Sequence, residues 1–80
     1  MIVQVKLFAA ARQLAGADSI AIELAQPTIG ALRQAICEQQ PAMAPLVRRA
    51  MFAIDAEYAK DDAIIPASAE VACIPPVSGG

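Results

Sequence analysis

There is no histidine in this chain and no tryptophan, and its only aromatic side chains are Phe8, Phe52 and Tyr58. The two cysteines, Cys37 and Cys73, lie far apart, and neither belongs to a Cys-x-x-Cys unit. A metal centre and a Cys–His nucleophile are therefore both poorly supported, and both thiols are expected as small buried hydrophobes. Ser19, Ser68 and Ser78 have no imidazole to activate them. Glycine is confined to Gly16, Gly30, Gly79 and Gly80, so there is no Gly-rich phosphate loop. Charged residues make up only 18% of the chain, with a net charge of −2. The one adjacent basic pair, Arg48-Arg49, reads as a solvated face and not as a nucleic-acid footprint. The adjacent carboxylates Asp61-Asp62 read as a solvated turn. No uncharged apolar run approaches membrane-spanning length, and the N-terminus lacks the pattern of a secretory signal. These absences predict a cytoplasmic protein with no metal, no nucleic-acid or membrane partner and no independent catalytic site.

What the chain does have is aliphatic patterning. Its 80 residues are 58% hydrophobic, enough for one small domain. From Ile2 to Phe8, Val3, Val5 and Leu7 alternate with Gln4 and Lys6, the period of a strand. Ala9 to Ala15 predicts a short helix, with Gly16 as its C-terminal cap. After a turn at Asp18-Ser19, the alternation of Ile20, Ile22 and Leu24 predicts a second strand, antiparallel to the first. Pro27 breaks it. Thr28 is placed to cap a main helix carrying Ile29, Leu32 and Ile36, which runs to about Gln40, where Pro41 stops it. A helical turn is expected near Leu46-Val47. Three strands follow: Met51 to Ile54, a short one around Tyr58-Ala59, and Glu70 to Ile74. In the last, Val71 and Cys73 face one way, Ala72 and Ile74 the other. This order predicts an α+β domain, one main helix packed on one face of a mixed sheet.

The most specific stretch is the last, Ile74-Pro75-Pro76-Val77-Ser78-Gly79-Gly80. The two prolines fix φ, lack N–H donors and hold the preceding residue extended, so they end sheet pairing and direct the chain outward. Gly79 and Gly80 bury no apolar surface and lose the most entropy on ordering, so a core gains nothing from them. A channel too narrow for a Cβ could admit them. The division expected is a folded body over residues 1–76 and a flexible tail over 77–80. A terminal carboxylate on Gly80, with a pKa of about 3.5, would be ionised and able to attack the α-phosphate of ATP. The resulting acyl-adenylate is open to a sulfur nucleophile. Ile74, on the face opposite Val71 and Cys73, is expected to be exposed and to dock a partner together with Pro75 and Pro76.

This ending resembles that of the small, sulfur-carrier subunits of molybdopterin synthase, a family with the ubiquitin-like β-grasp fold. The likeness extends through Leu7-Phe8-Ala9 with Arg12, Leu14 and Gly16, through Pro27-Thr28 and Leu32, and through Glu70-Val71-Ala72. Ile54-Asp55 stands where the family commonly has Val-Asn. Ser68-Ala69 replaces its usual Gly-Asp turn, and Cys73 and Ile74 stand where it often has aromatics. The resemblance implies that a partner adenylyltransferase uses ATP to adenylate Gly80, and that a sulfur donor converts the adenylate to a thiocarboxylate. It implies that Val77, Ser78, Gly79 and Gly80 enter the large catalytic subunit. Sulfur then passes to cyclic pyranopterin monophosphate, two transfers building the molybdopterin dithiolene of molybdenum cofactor biosynthesis. No cofactor is bound permanently, nucleotide is engaged only through the adenylate, and the family arrangement is a heterotetramer. Carriers serving thiamine or cysteine biosynthesis also end in Gly-Gly, but Pro-Pro-Val-Ser argues against them. A non-catalytic β-grasp binding module with a chemically silent tail is the alternative of another class.

Overall fold

The computed structural model describes residues 1–76. Strand β1 (Ile2–Leu7) buries Val3, Val5 and Leu7 and exposes the residues between them. Helix α1 (Ala9–Ala15) ends at Gly16, whose φ of 68° lets its N–H close on the Arg12 carbonyl at 3.0 Å. Strand β2 (Ser19–Glu23) returns antiparallel to β1, with Val5 opposite Ile20 and Val3 opposite Ile22. Its free edge is partly closed: the Gln39 side chain donates to the Glu23 carbonyl at 3.0 Å and accepts from the Glu23 N–H at 3.4 Å. A side-chain amide here stands in for a neighbouring strand, one way to blunt an exposed edge.

Helix α2 (Ile29–Gln39) starts where Thr28 predicts, the hydroxyl accepting from the Ala31 N–H at 3.2 Å. The two N–H groups before Ala31 are also used, Ile29 donating to Ala63 O at 3.1 Å and Gly30 to Asp61 O at 2.8 Å. The approach is close enough that a Cβ on Gly30 would meet that Asp61 oxygen at 3.2 Å. Ile29, Leu32, Ala35 and Ile36 form the buried stripe. Past Gln40 the helical turn expected near Leu46-Val47 is longer than the sequence suggests. A 3₁₀ turn over Pro41–Met43 runs into α3 (Ala44–Val47) and buries Met43, Ala44 and Val47. Pro41 and Pro45 sit at first-turn positions, where a missing N–H costs nothing, so they start these turns instead of breaking them.

Strand β3 (Met51–Ile54) turns through Asp55 and Ala56 into β4 (Glu57–Ala59). Glu57 belongs to the strand and not to the turn, because a two-residue loop with φ of 48° and 69° matches the twist of a hairpin. Strand β5 (Val71–Ile74) lies in the middle, parallel to β1 and antiparallel to β3, giving the order β2-β1-β5-β3-β4. Glu70 falls just outside the strand. It is tied to the hairpin, its N–H donating to Asp55 Oδ1 at 2.9 Å and its carbonyl accepting from the Asp55 N–H at 2.8 Å. One face of the sheet, with α2 and α3, encloses Phe52, Leu7, Ile22, Leu32, Ile36 and the rest of the core, and no polar side chain among the described residues is buried.

Ala56 is an L-residue held at φ 69°, a left-handed conformation that costs a residue with a Cβ about 1–2 kcal/mol. Glycine relieves that strain at some entropic cost in the unfolded chain. Ala56→Gly is expected to raise stability by about 0.5–1 kcal/mol, read as a higher denaturant midpoint with an unchanged slope.

Candidate functional site

The sheet face away from α2 is where the last strand presents its outward side chains. Ile74 pairs with Met51, and Ala72 with Ala53 on one side and Lys6 on the other. Phe8 continues β1 in extended backbone one residue past Leu7, the partner of Cys73, and so lies level with Ile74. Met51 is 51% exposed and Phe8 43% exposed, with Tyr58, opposite Ala53, at 69%. These side chains make an apolar patch centred on the end of β5. Exposed apolar groups grouped in this way, and not scattered singly, mark an interaction surface.

The sequence-derived docking residues divide in the structure. Ile74 does face away from Val71 and Cys73, but it is half-buried, because Met51 stands directly beside it. Pro75 is buried and seats the chain against the body. Pro76 is exposed. Val77, Ser78, Gly79 and Gly80, the residues expected to enter a partner, lie outside the described residues. Phe8, Met51 and Tyr58 were not legible as site residues. The outward alternation of β1 and β3 was the available signal, but combining it with Ile74 requires the sheet order.

Arg33 is another residue that the sequence alone does not single out. Its guanidinium lies 5.1 Å from the centre of the Phe52 ring. Nη1 donates to the carbonyls of Val47 at 2.8 Å and Ala50 at 2.7 Å, while Nη2 and Nε meet the two carboxylate oxygens of Asp61 at 2.8 and 3.3 Å. One side chain thus joins α2, the approach to β3 and the loop that closes the start of α2. Phe52 pairs with Cys73, so this tie also braces β5.

Among the described residues no group of His, Cys, Asp and Glu is arranged to hold a metal ion. The start of α2, a place where an anion could bind, already donates to Ala63, Asp61 and Thr28. Cys73 is fully buried, and burial pushes its thiol from 9.0 up to about 11, only partly offset by the positive charge of Arg33. It is a protonated packing group, not a nucleophile. Cys37 is a half-buried free thiol, so the expectation of two buried thiols holds in full for Cys73 alone.

A five-stranded mixed sheet in this order, with its main helix across one face, is the ubiquitin-like β-grasp fold of sulfur-carrier proteins. The chain belongs to the ThiS family, whose model matches residues 5–80. It is 37% identical over 81 residues to the molybdopterin synthase sulfur carrier subunit of Caenorhabditis briggsae, covering 98% of this chain and 96% of that one. Among solved structures it is similar to SAMP1 from Haloferax volcanii, with a TM-score of 0.81 and 25% identity over the whole of both chains. It shares its fold with a chain of the complex of subunits 1 and 2 of molybdopterin-converting factor from Helicobacter pylori, at a TM-score of 0.68 and 17% identity over the whole of both.

Burial of the Cys73 thiol has a consequence for stability. Its folded pKa lies above the unfolded value, so the fold favours the neutral form. Below about pH 8 the thiol is protonated in both states and contributes no pH dependence. Between pH 9 and 11 the unfolded chain releases a proton that the folded chain keeps, and stability falls. The loss attributable to Cys73 approaches about 2–3 kcal/mol by the upper end of that window. Cys73→Val is expected to flatten this alkaline limb, measured as the difference between the two proteins' urea-unfolding free energies across pH 8–11.

Proposed function

We propose that this chain is the sulfur carrier of a molybdopterin synthase and that its working residue is Gly80. The observation that carries the reading is the position of β5. The strand occupies the middle of the sheet and runs into Pro75-Pro76 beside an apolar patch, in a chain of the ThiS family. The name of the Caenorhabditis briggsae relative points the same way.

In this reading a terminal carboxylate oxygen of Gly80 attacks the α-phosphorus of ATP on a partner adenylyltransferase, displacing pyrophosphate. A sulfur donor then displaces AMP from the acyl-adenylate and leaves a thiocarboxylate. The carrier passes to the large catalytic subunit, and Val77, Ser78, Gly79 and Gly80 enter its active site. The sulfur goes to cyclic pyranopterin monophosphate, and a second loaded carrier supplies the other sulfur of the dithiolene. ATP is consumed on the adenylyltransferase, and this chain keeps no cofactor. Phe8, Met51 and Ile74 form the docking patch, Pro76 lies at its exit, and Pro75 fixes where the tail begins. The setting is the cytoplasm, where thiols remain reduced, and the assembly is a heterotetramer with one carrier at each end of a dimeric large subunit. That no helix among the described residues is long and apolar enough to cross a membrane is consistent with this setting.

Two variants separate the tail from the patch. Incubation of the unaltered chain with the adenylyltransferase, ATP and a sulfur donor should add the sulfur-for-oxygen mass difference at Gly80, and the loaded protein should convert the precursor with the large subunit. Removing Gly80 should abolish loading and transfer while leaving the circular dichroism spectrum and the affinity for the large subunit nearly intact. Met51→Glu should still unfold cooperatively but bind the large subunit at least tenfold more weakly, since it buries a charge in an apolar contact. Product formation by the chain lacking Gly80 would sink the proposal.

A further inference from the structure

The two edges of the sheet differ in what they leave unpaired. Beside β2, the Leu7 N–H donates to Asp18 O at 2.8 Å and the Leu24 N–H to Met1 O at 2.7 Å, at the two ends of an unbroken antiparallel register. Backbone groups alternate in such a ladder. Asp18, Ile20, Ile22 and Leu24 therefore turn theirs toward β1, and Ser19, Ala21 and Glu23 turn theirs outward. Gln39 fills the place beside Glu23. Among the described residues nothing pairs with the outward N–H and C=O groups of Ser19 and Ala21. Nor does β2 carry the usual protection of an edge, since Ser19–Glu23 holds no lysine, no proline and no bulge. At the opposite edge, the tight hairpin into β4 turns outward only the backbone of Tyr58, flanked by Glu57 and, past Ala59, by Lys60.

An open edge of this shape fits its own copy. Two-fold symmetry makes such a contact antiparallel and self-complementary. An axis at Ala21 would set Ser19 against Glu23 of the second copy, whose backbone groups Gln39 already holds. An axis at Ile20 sets Ser19 against Ala21 of the second copy, and every outward N–H and C=O of both residues closes. Ile20 then meets its own copy in a pair without hydrogen bonds, where side chains approach most closely and β-branched partners are favourable. In the single chain Ile20 faces the core but is only half-buried. On the outward face the small side chains of Ser19 and Ala21 meet without obstruction. Like charges are not set opposite each other: Asp18 falls against Ile22 and Glu23 against Ala17. Each of these carboxylates also has an ion pair within its own chain, Glu23 with the N-terminal ammonium and Asp18 with Arg12.

We propose that the β2 edge is a self-association surface, through which two copies of this chain join their sheets about a two-fold axis at Ile20. Gln39 sets the register, because it leaves only Ser19 and Ala21 open to a second strand. So short a contact buries far less than the about 1,200 Å² of a stable interface, and the dimer dissociates on dilution. Met51 and Ile74 lie on strands that β1 separates from β2, so both copies keep these side chains of the apolar patch open. The contact is a property of the folded body and does not depend on the functional reading above.

The test is sedimentation equilibrium of the full chain from micromolar to millimolar concentration, paired with amide hydrogen exchange. The mean mass should rise toward that of a dimer, and exchange at Ser19 and Ala21 should slow in step with the dimer fraction. Ala21→Pro removes an outward donor without touching the ladder to β1, at an edge position that tolerates proline. It should still unfold cooperatively and weaken the dimer about tenfold or more. If this variant does not fold, exchange at Ser19 and Ala21 in the unaltered chain decides the matter alone. Met51→Glu and a chain lacking Gly79 and Gly80 should dimerise as the unaltered chain does. A monomer at every concentration would overturn the proposal, and so would a dimer in which Ser19 and Ala21 exchange as fast as in the monomer. An undiminished dimer in folded Ala21→Pro would overturn it too. Loss of the dimer in Met51→Glu would assign the contact to the apolar patch, and loss on removing the glycines would assign it to the tail; either result overturns the proposal.

Discussion

The parallel pairing of β5 with β1 constrains the rest of the molecule. β5 has only four residues, yet it has a neighbour on each side, and its inward side chains, Val71 and Cys73, are fully buried. A fully buried aliphatic side chain of this size contributes about 1.5–3 kcal/mol. The strand is thus held by the core and by two ladders at once. Because β5 runs parallel to β1, it must leave the sheet at the end where β1 turns into α1, which puts Phe8 beside Ile74. Because it runs antiparallel to β3, that same end is where β3 begins, which puts Met51 beside Ile74 as well. The apolar patch is a geometric result of one strand's position. Pro75, lacking an N–H, cannot extend the ladder, and its burial makes the point of departure definite.

Arg33 secures the strand on the far side of β5. The turn after α3 ends in carbonyls that no helix continues, and an arginine on α2 supplies the missing donors at Val47 and Ala50. Its remaining donors are spent on Asp61, in the loop whose carbonyls cap α2 itself. Such bonds have charged donors and are stronger than neutral ones. The guanidinium is only partly exposed, with the ring of Phe52 beneath it, so solvent screens these contacts less than it would on an open surface. The register between β3 and β5, on which the patch depends, begins from this tie.

Local chemistry made much of this legible. The alternation in β1, the Thr28 cap, the αL glycine at position 16 and the two faces of β5 all follow from interactions within a few residues, and each appears as the pattern implies. The resemblance of the last residues to sulfur carriers pointed to the fold and family found. What could not be read was set by contacts distant in sequence. Arg33 looks like an ordinary polar position of an amphipathic helix, because its acceptors lie 14, 17 and 28 residues away. Pro41 ends α2 as its position implies, yet at first-turn positions Pro41 and Pro45 also start the turns that follow, which depends on packing beyond the local sequence. Ile74 was read from alternation alone, which gives its direction correctly but says nothing of Met51 across the ladder. The type of turn also escaped: Asp55 tolerates a positive φ as Asn does, which accounts for a residue of this kind following Ile54, whereas Ala56 gives no such hint.

The proposed division between a folded body and a tail over residues 77–80 would have a thermodynamic logic. A carrier that hands its cargo from one enzyme to another must bind each firmly enough to react and loosely enough to leave. On the proposed function, an adenylyltransferase and a large subunit that use the same patch and tail would exclude each other, so the rate of exchange would be set by dissociation. Enlarging the apolar contact would raise affinity mainly by slowing release, and the cycle would stall. A small apolar patch therefore suits a protein that must leave its partners again. The proposed function also puts the reactive group at Gly80 and not among the core residues. A thiocarboxylate held within the body would have to be exposed by partial unfolding, at a cost comparable to the few kcal/mol by which a small domain is stable. In the proposed arrangement a thiocarboxylate on Gly80, beyond Pro75, would be delivered without partial unfolding of the body.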